Sequence, residues 1–259
     1  YSAADAGVFS LIERQYEDGL SAGFHVALTH RQVDVNTQAG GQFSADGMYF
    51  GVQALAQPNS SQGVYAHGLA RVGIENNTTR RKVDFNGYQR TSQGEWIGFA
   101  SAADVGAGYN WRVGPMSFGP VAGLDYAFNW RPAMTENHGG GADLALDSAG
   151  QHSLYSALGG QLQTEHSLAQ GQIIQAGLRA LWLRDLLGDA IITRGGFAGA
   201  DGPKFSSHAP APAKDSMGLH AHASLLLADG LKCSAFAGTE LFRAGFSSVE
   251  GGLSFSWDF

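Results

Sequence analysis

Apolar and polar side chains alternate along much of the chain, and the run 118–130 shows this most clearly. Its even positions hold Phe, Pro, Ala, Leu, Tyr, Phe and Trp, and its odd positions hold Gly, Val, Gly, Asp, Ala and Asn. Successive side chains of a β-strand point to opposite faces, so the pattern predicts a strand with one apolar face. At about 3.3 Å per residue, such a strand is longer than the strands that are usual in globular proteins. It is long enough to span a bilayer as a tilted transmembrane strand.

The stretch Val249–Phe259 shows the same alternation with larger aromatic groups. Its apolar face carries Leu253, Phe255, Trp257 and Phe259, and its other face carries small or polar residues. An aromatic ring at the end of such a strand is expected at a membrane interface, where aromatic side chains are favoured. The alternative interpretation of this stretch alone is an edge strand of a soluble sheet.

Comparable stretches amount to about eleven strands, joined by connections that alternate between short and long. The long polar connections are predicted at 77–95, 132–150 and 186–214. This alternation of short and long connections predicts an all-β fold, namely an antiparallel up-and-down transmembrane β-barrel. Its short turns are expected in the periplasm and its long loops outside the cell. Bacterial single-chain barrels have an even number of strands, so about twelve are expected, one of them upstream of this sequence.

The composition favours a membrane barrel and argues against several other classes of protein. Charged residues make up 15% of the 259 residues, against about 25% in typical soluble domains, and glycine occurs 37 times. No apolar run approaches the ~18 residues that a transmembrane helix needs. The net charge of -7 argues against a nucleic-acid partner, and the single cysteine, Cys233, excludes an internal disulfide and CxxC metal sites.

Several charged residues are predicted to face the interior of the barrel. An Arg or Lys on the lipid face costs about 2–4 kcal/mol at mid-bilayer, whereas an inward position offers water and charged partners. The residues predicted to line the lumen are Arg71, Glu75, Asp104, Asp125, Arg179 and Glu240. Two interpretations stay open: the charges form a wet conduit for an unfolded chain, or they fill a plugged barrel and keep it rigid.

Metal and catalytic chemistry find little support in the sequence. His220 and His222 share one face of a strand, but two ligands are too few for zinc, so polar lumen positions are expected instead. Neither a metal nor a cofactor is predicted. The chain lacks a GxSxG motif, and no Ser and His pair is apparent on the outer wall, where a barrel phospholipase would need one.

Several stretches, in this order and spacing, resemble the autotransporter β-domain, the translocator of type V secretion, over nearly the whole chain. The first stretch is a strand followed by a polar Thr-Arg segment of the family. The second contains the family's acidic-x-Gly-Tyr strand, glycine turn and GLDY strand. The last three resemble, in order, its Arg-x-x-Trp strand, its penultimate hairpin and its aromatic C-terminus. The stretches are GVYAHGLARVGIENNTTRRKV (63–83), ASAADVGAGYNWRVGPMSFGPVAGLDYAFNW (100–130), LRALWLRDLLGD (178–189), the hairpin 205–242 and the terminal SFSWDF.

This resemblance implies a single domain over residues 1–259 that sits as a monomeric barrel in the bacterial outer membrane. Its implied partners are outer-membrane lipid, the outer-membrane assembly machinery and its own N-terminal passenger, the upstream part that is secreted. The aromatic C-terminus is then an assembly signal, no residue is catalytic, and the first strand and pore helix are expected upstream. A start without a basic segment and apolar core likewise predicts a longer precursor. The alternatives are a passive porin-like channel and a barrel phospholipase.

Overall fold

The computed structural model describes most of the chain, and almost all of it is antiparallel β-structure. The described residues are 2–16, 19–35, 40–57, 62–168, 171–188, 192–200, 202–208, 213–227, 230–243 and 246–257. The predicted terminal residue of the assembly signal, Phe259, therefore lies outside them. Within the described residues no helix is long and apolar enough to span a membrane.

One sheet of eleven strands contains most of these residues, and each strand pairs with its neighbours in antiparallel order. Consecutive strands of this sheet are adjacent throughout, which is the predicted up-and-down topology. The strands are β1 (Ser2–Gln15), β2 (Leu20–Val35), β3 (Gly41–Ala56), β4 (Gly63–Phe85), β5 (Tyr88–Val113), β6 (Met116–Arg131), β9 (Ala149–Ser167), β10 (Ile173–Asp185), β13 (Asp215–Leu226), β14 (Leu231–Arg243) and β15 (Phe246–Trp257).

The strands β4 and β5 are the longest in the sheet, with 23 and 26 residues. They pair without interruption from Gly63↔Asn110 to Phe85↔Tyr88, so the predicted polar loop at 77–95 is wrong. Asn86 and Gly87 close the hairpin with φ of 46° and 83°, as a tight turn between twisted strands requires. Polar residues occupy both faces of this extension, and the alternation that marks a half-buried strand is therefore missing from its sequence.

A second, smaller sheet joins two of the long connections that the sequence predicted as loops. Its strands are β7 (Met134–Thr135), β8 (Leu144–Leu146), β11 (Ile192–Phe197) and β12 (Phe205–His208). Their order is β12-β11-β8-β7, so segments from the β6–β9 and β10–β13 connections lie side by side. A short 3-10 turn at Gly140–Ala142 precedes β8. We call the end of the large sheet that carries these connections and the β4–β5 turn its outer end.

The large apolar side chains lie mainly on one face of the large sheet and are exposed. Val72, Ile97, Leu124 and Leu178 are each about half exposed, and the neighbouring strands continue this apolar belt. Soluble monomers rarely expose contiguous apolar patches of this size, whereas a membrane barrel presents such a belt to lipid. Within the described residues, the sheet has two edge strands, β1 and β15.

Candidate functional site

The face opposite the apolar belt is concave, because side chains from strands that are not neighbours meet there. Gln161 on β9 donates a hydrogen bond from Nε2 to Oδ1 of Asn110 on β5, across β6, at 2.8 Å. Arg243 on β14 donates to the hydroxyl of Tyr155 on β9, across two intervening strands, at 2.6 Å. Such contacts, which reach over one and two intervening strands, fit a sheet that curls toward this face around a polar interior.

All six charged residues that were predicted to line a lumen lie on this concave face. The strand registers establish it, because directly opposed residues point to the same side and alternate residues share a face. Asp104 pairs with Asp125, and Arg179 pairs with Gln161. The full set is Arg71 and Glu75 on β4, Asp104 on β5, Asp125 on β6, Arg179 on β10 and Glu240 on β14.

Two aromatic residues complete the group around β4. The Tyr49 hydroxyl donates a hydrogen bond to the Glu75 carboxylate, and the Arg71 guanidinium lies over the Tyr49 ring, 5.6 Å from its centroid. His67 Nε2 lies 3.0 Å from Asp104 Oδ1. The sequence did not identify Tyr49 or His67, since only the register between strands brings them to these carboxylates.

A second polar group lies farther along the concave face. Arg179 donates to Gln161 Oε1 at 3.2 Å, and Gln161 in turn donates to Asn110, so three strands are joined in a chain of hydrogen bonds. His220 Nδ1 lies 3.3 Å from Glu250 Oε1 on β15. A cavity of about 310 Å³ lies here, and its lining includes Gln161, Gln163, Arg179, His220, His222 and Phe236.

Glu240, the last of the six charges, belongs to a group near the outer end of β14. Its Oε1 lies 3.4 Å from Arg243 Nη1, and the same guanidinium donates to Tyr155 and to the carbonyl oxygen of Ala213. The side chains of Glu240 and Arg243 are 20% and 12% exposed. This pair therefore anchors the outer end of β14 to β9 rather than lying open to the interior.

Glycine is frequent on the concave face because rings from the next strand lie over it. A Cβ added to Gly108 would collide with the Tyr65 ring, and one added to Gly106 would collide with His67. His222 lies over Gly177 in the same way. These ring-on-glycine contacts let large polar side chains lie flat against the wall, which keeps the centre of the concave face open.

Among the described residues, no group of three or more His, Cys, Asp or Glu is close enough to hold a metal ion. His220 and His222 share a face as predicted, but each has its own neighbours. His220 lies against Glu250, and His222 lies over Gly177. The concave face thus offers hydrogen-bonding and charged groups that are distributed over several strands.

The opposite, convex face carries the described part of the predicted assembly signal. Leu253, Phe255 and Trp257 alternate along β15 and are 72%, 71% and 65% exposed. They extend the apolar belt to the last described residues of the chain. Phe259 is also at an odd-numbered position, but it lies outside the described residues, so its place in the assembly signal stays a prediction.

The antiparallel up-and-down sheet, apolar outside and charged inside, defines the class of outer-membrane β-barrels. A family model described as "Autotransporter beta-domain" matches residues 1–237. The chain therefore belongs to the autotransporter β-domain family, whose members are outer-membrane translocators for a linked N-terminal passenger. No curated protein matches the chain.

Solved translocator domains share the fold at low sequence identity. The translocator domain of the autotransporter NalP from Neisseria meningitidis matches with a TM-score of 0.75 and 14% identity, over 99% of this chain and 82% of that one. The β-domain of the Bordetella autotransporter BrkA matches with a TM-score of 0.69 and 16% identity, over 99% and 92%. The transport unit of AIDA-I from Escherichia coli matches with a TM-score of 0.55 and 10% identity, over 99% and 82%.

Proposed function

We propose that the concave face of this domain is the wall of the conduit through which its own passenger crosses the outer membrane. The observation that carries the proposal is the set of polar contacts between strands that are not neighbours, such as Gln161 to Asn110. These contacts enclose a charged surface instead of a dry core. The domain acts as a non-catalytic translocator. Arg71, Glu75, Asp104, Asp125 and Arg179 act by keeping its interior hydrated, and Glu240 acts through Arg243 by holding the outer end of β14 to β9.

Charges of both signs suit a polypeptide in transit. An extended chain carries unpaired backbone N–H and C=O groups, which must find water or polar partners at every depth of the membrane. The concave face supplies polar partners, since acidic groups such as Asp125 lie near cations such as Arg71. A surface with charges of only one sign would favour passenger sequences of the opposite charge. A surface with charges of both signs suits passengers of many different sequences.

The two edge strands support a further part of the proposal, that an upstream strand completes the barrel. Unpaired backbone groups in hydrocarbon cost several kcal/mol each. The free edges of β1 and β15 must therefore be paired, either with a further strand between them or directly with one another. We infer that a strand N-terminal to Ser2 fills this place and gives about twelve in all. A native domain that starts at Tyr1 and still forms a closed, heat-modifiable barrel would contradict this count.

The C-terminal strand has a second proposed role, as the segment that the outer-membrane assembly machinery recognises. Leu253, Phe255 and Trp257 form an exposed row on the edge strand β15, where a second protein can contact both the side chains and the unpaired backbone. The assembled barrel is proposed to be a monomer. A passive porin is the second candidate function, favoured by the cavity beside Arg179 on the concave face.

Site-specific photo-crosslinking tests the conduit. A photoreactive amino acid replaces Ala102, which lies on the concave face directly opposite Arg71 and Ala127. In a second variant it replaces Ala103, the next residue, which lies on the convex face opposite Ala70 and Tyr126. During secretion by the full-length protein, position 102 should crosslink to the passenger and position 103 should not.

The neighbouring positions share one strand and one depth, so they differ only in the face they occupy. Equal crosslinking to the passenger from both positions, or none from position 102, would contradict passage along the concave face. A porin predicts the second of these outcomes, since its interior carries only small solutes.

A further inference from the structure

The β6–β9 connection is built against the outer extension of the β4–β5 hairpin. Gln93 on β5 donates its backbone N–H to Asn137 at 2.9 Å, and the backbone N–H of Asn137 donates back to Gln93 at 2.8 Å. Gln93 lies beyond the point where β6 stops pairing with β5, at Phe99↔Trp130. The connection therefore continues alongside β5 after β6 has ended.

An ion pair between the half-buried Arg81 and the buried Glu136 holds the connection in place. Arg81 donates from Nη2 to Glu136 Oε2 at 2.5 Å and from Nε to Oε1 at 3.2 Å. Its Nη2 also donates to the carbonyl oxygen of Ala142 at 2.7 Å, and the N–H of Leu144 donates to Glu136 Oε2 at 3.0 Å. The Glu136 side chain is 4% exposed, so its charge depends on Arg81 for compensation.

The connection packs on the concave side of the hairpin. Arg81 has the same parity on β4 as Arg71 and Glu75, which lie on that face. Met134 is buried over Gly94, where an added Cβ would collide with its methyl group. Gly139 lies equally close to Ser92, the residue opposite Arg81. The connection thus turns inward, over the outer end of the conduit, and does not fan outward.

The β10–β13 connection is joined to it through the small sheet. Ala198 donates its backbone N–H to the carbonyl oxygen of Asp143 at 2.8 Å, and that of Asp147 donates to Arg194 at 2.9 Å. Lys204 Nζ lies 2.8 Å from Asp147 Oδ1. Two outer connections therefore form one folded unit, held to the hairpin by the Arg81–Glu136 pair.

We propose that this unit is a cap over the outer opening of the conduit, and that Arg81 and Glu136 are the latch that holds it closed. The unit comprises the described parts of residues 132–148 and 192–208. The passenger would reach this unit as it leaves the conduit, so the latch must open while the passenger crosses and close afterwards. The proposal rests on the outer-membrane orientation of the domain. Its test measures channel conductance and does not depend on secretion of the passenger.

Single-channel recording of the full-length protein in planar lipid bilayers tests the latch. Arg81→Gln removes the charge that compensates Glu136, and Glu136→Gln removes the other partner. Either variant should raise the open population by at least about tenfold, which corresponds to about 1.4 kcal/mol. The matched control is Arg80→Gln, the same change one residue earlier, at an exposed side chain on the convex face.

Limited proteolysis gives an independent readout. An endoproteinase that cuts after glutamate should cleave at Glu136 faster in Arg81→Gln than in Arg80→Gln, because release of the cap exposes this buried residue. Conductance that matches the control in both latch variants, together with unchanged cleavage at Glu136 in Arg81→Gln, would overturn the proposal. If Arg81→Gln fails to reach the membrane, Glu136→Gln still decides the question by conductance. A failure of passenger crosslinking at position 102 would leave these results unaffected, so the two proposals fail separately.

Discussion

Asp104 and Asp125 lie directly opposite each other on β5 and β6, with both carboxyl groups on the concave face of the sheet. Two neighbouring carboxylates repel each other and are unfavourable in an apolar medium, so they require water or cations nearby. Arg71 on β4 interacts electrostatically with Asp125 across β5, and His67, also on β4, contacts Asp104. This arrangement fits a hydrated interior and does not fit a dry core.

Replacing Asp125 with Leu should impair transport while leaving membrane insertion largely intact. Insertion depends on the convex face, which the substitution does not touch, whereas the polar interior loses one of its charges. Passenger secretion and single-channel conductance should both change in the full-length protein. Heat-modifiability on gels checks insertion. Unchanged secretion and conductance would show that the inward charges only fill space.

The adjacent residue, Leu124, should give the opposite result. Its side chain lies on the convex face near the middle of β6 and is 44% exposed. An Arg at mid-bilayer on the lipid face costs about 2–4 kcal/mol, so Leu124→Arg should reduce the amount of inserted barrel. Quantifying the heat-modifiable form in outer-membrane fractions measures this. Normal insertion of Leu124→Arg would contradict a lipid-facing position at this depth.

Two consecutive glycines of β9 offer a matched test of packing. A Cβ at Gly159 would collide with the backbone carbonyl oxygen of Ala180, whereas a Cβ at Gly160 would lie 3.6 Å from the nearest oxygen, that of Gly119. Gly159→Ala should therefore destabilise the barrel by about 1–3 kcal/mol, the usual cost of overpacking. Gly160→Ala should be tolerated. Urea unfolding of both variants in lipid vesicles compares them, and equal midpoints would contradict the close approach of β10 to Gly159.

The sequence predicted the barrel wall well because a period of two is a direct consequence of strand geometry. Positions such as Leu124 and Asp125 were assigned to opposite faces from their parity alone, and the structure places them there. The outer half of the β4–β5 hairpin was missed, because both of its faces are polar outside the membrane. Its pairing depends on backbone hydrogen bonds, which leave no hydrophobic period in the sequence.

The partners of the charged residues were also beyond sequence analysis. Tyr49 reaches Glu75 only because β3 and β4 pair in one particular register. Arg81 and Glu136 are 55 residues apart and meet through the fold of a connection that looks like a polar loop in the sequence. Contacts of this kind follow from tertiary structure, so no local pattern indicates them.

Deleting Phe259 should cause a kinetic defect in assembly and leave the stability of the folded barrel nearly unchanged. Burial of one aromatic side chain contributes about 1.5–3 kcal/mol, which is small for a barrel of this size. If the aromatic C-terminus is an assembly signal, the full-length protein that lacks Phe259 should insert slowly into the outer membrane of cells. The same protein, once purified, should refold normally in detergent. Normal insertion in cells would contradict the signal role.

The location of the passenger tests the central claim, translocation by this domain, most directly. Residues 1–259 of the full-length protein are replaced by a passive porin barrel that inserts normally, and protease accessibility of the passenger is measured on intact cells. The account predicts that the passenger is degraded from outside in the native protein and stays protected, in the periplasm, in the chimaera. A passenger that reaches the surface equally well through the porin barrel would contradict a translocator role for this domain.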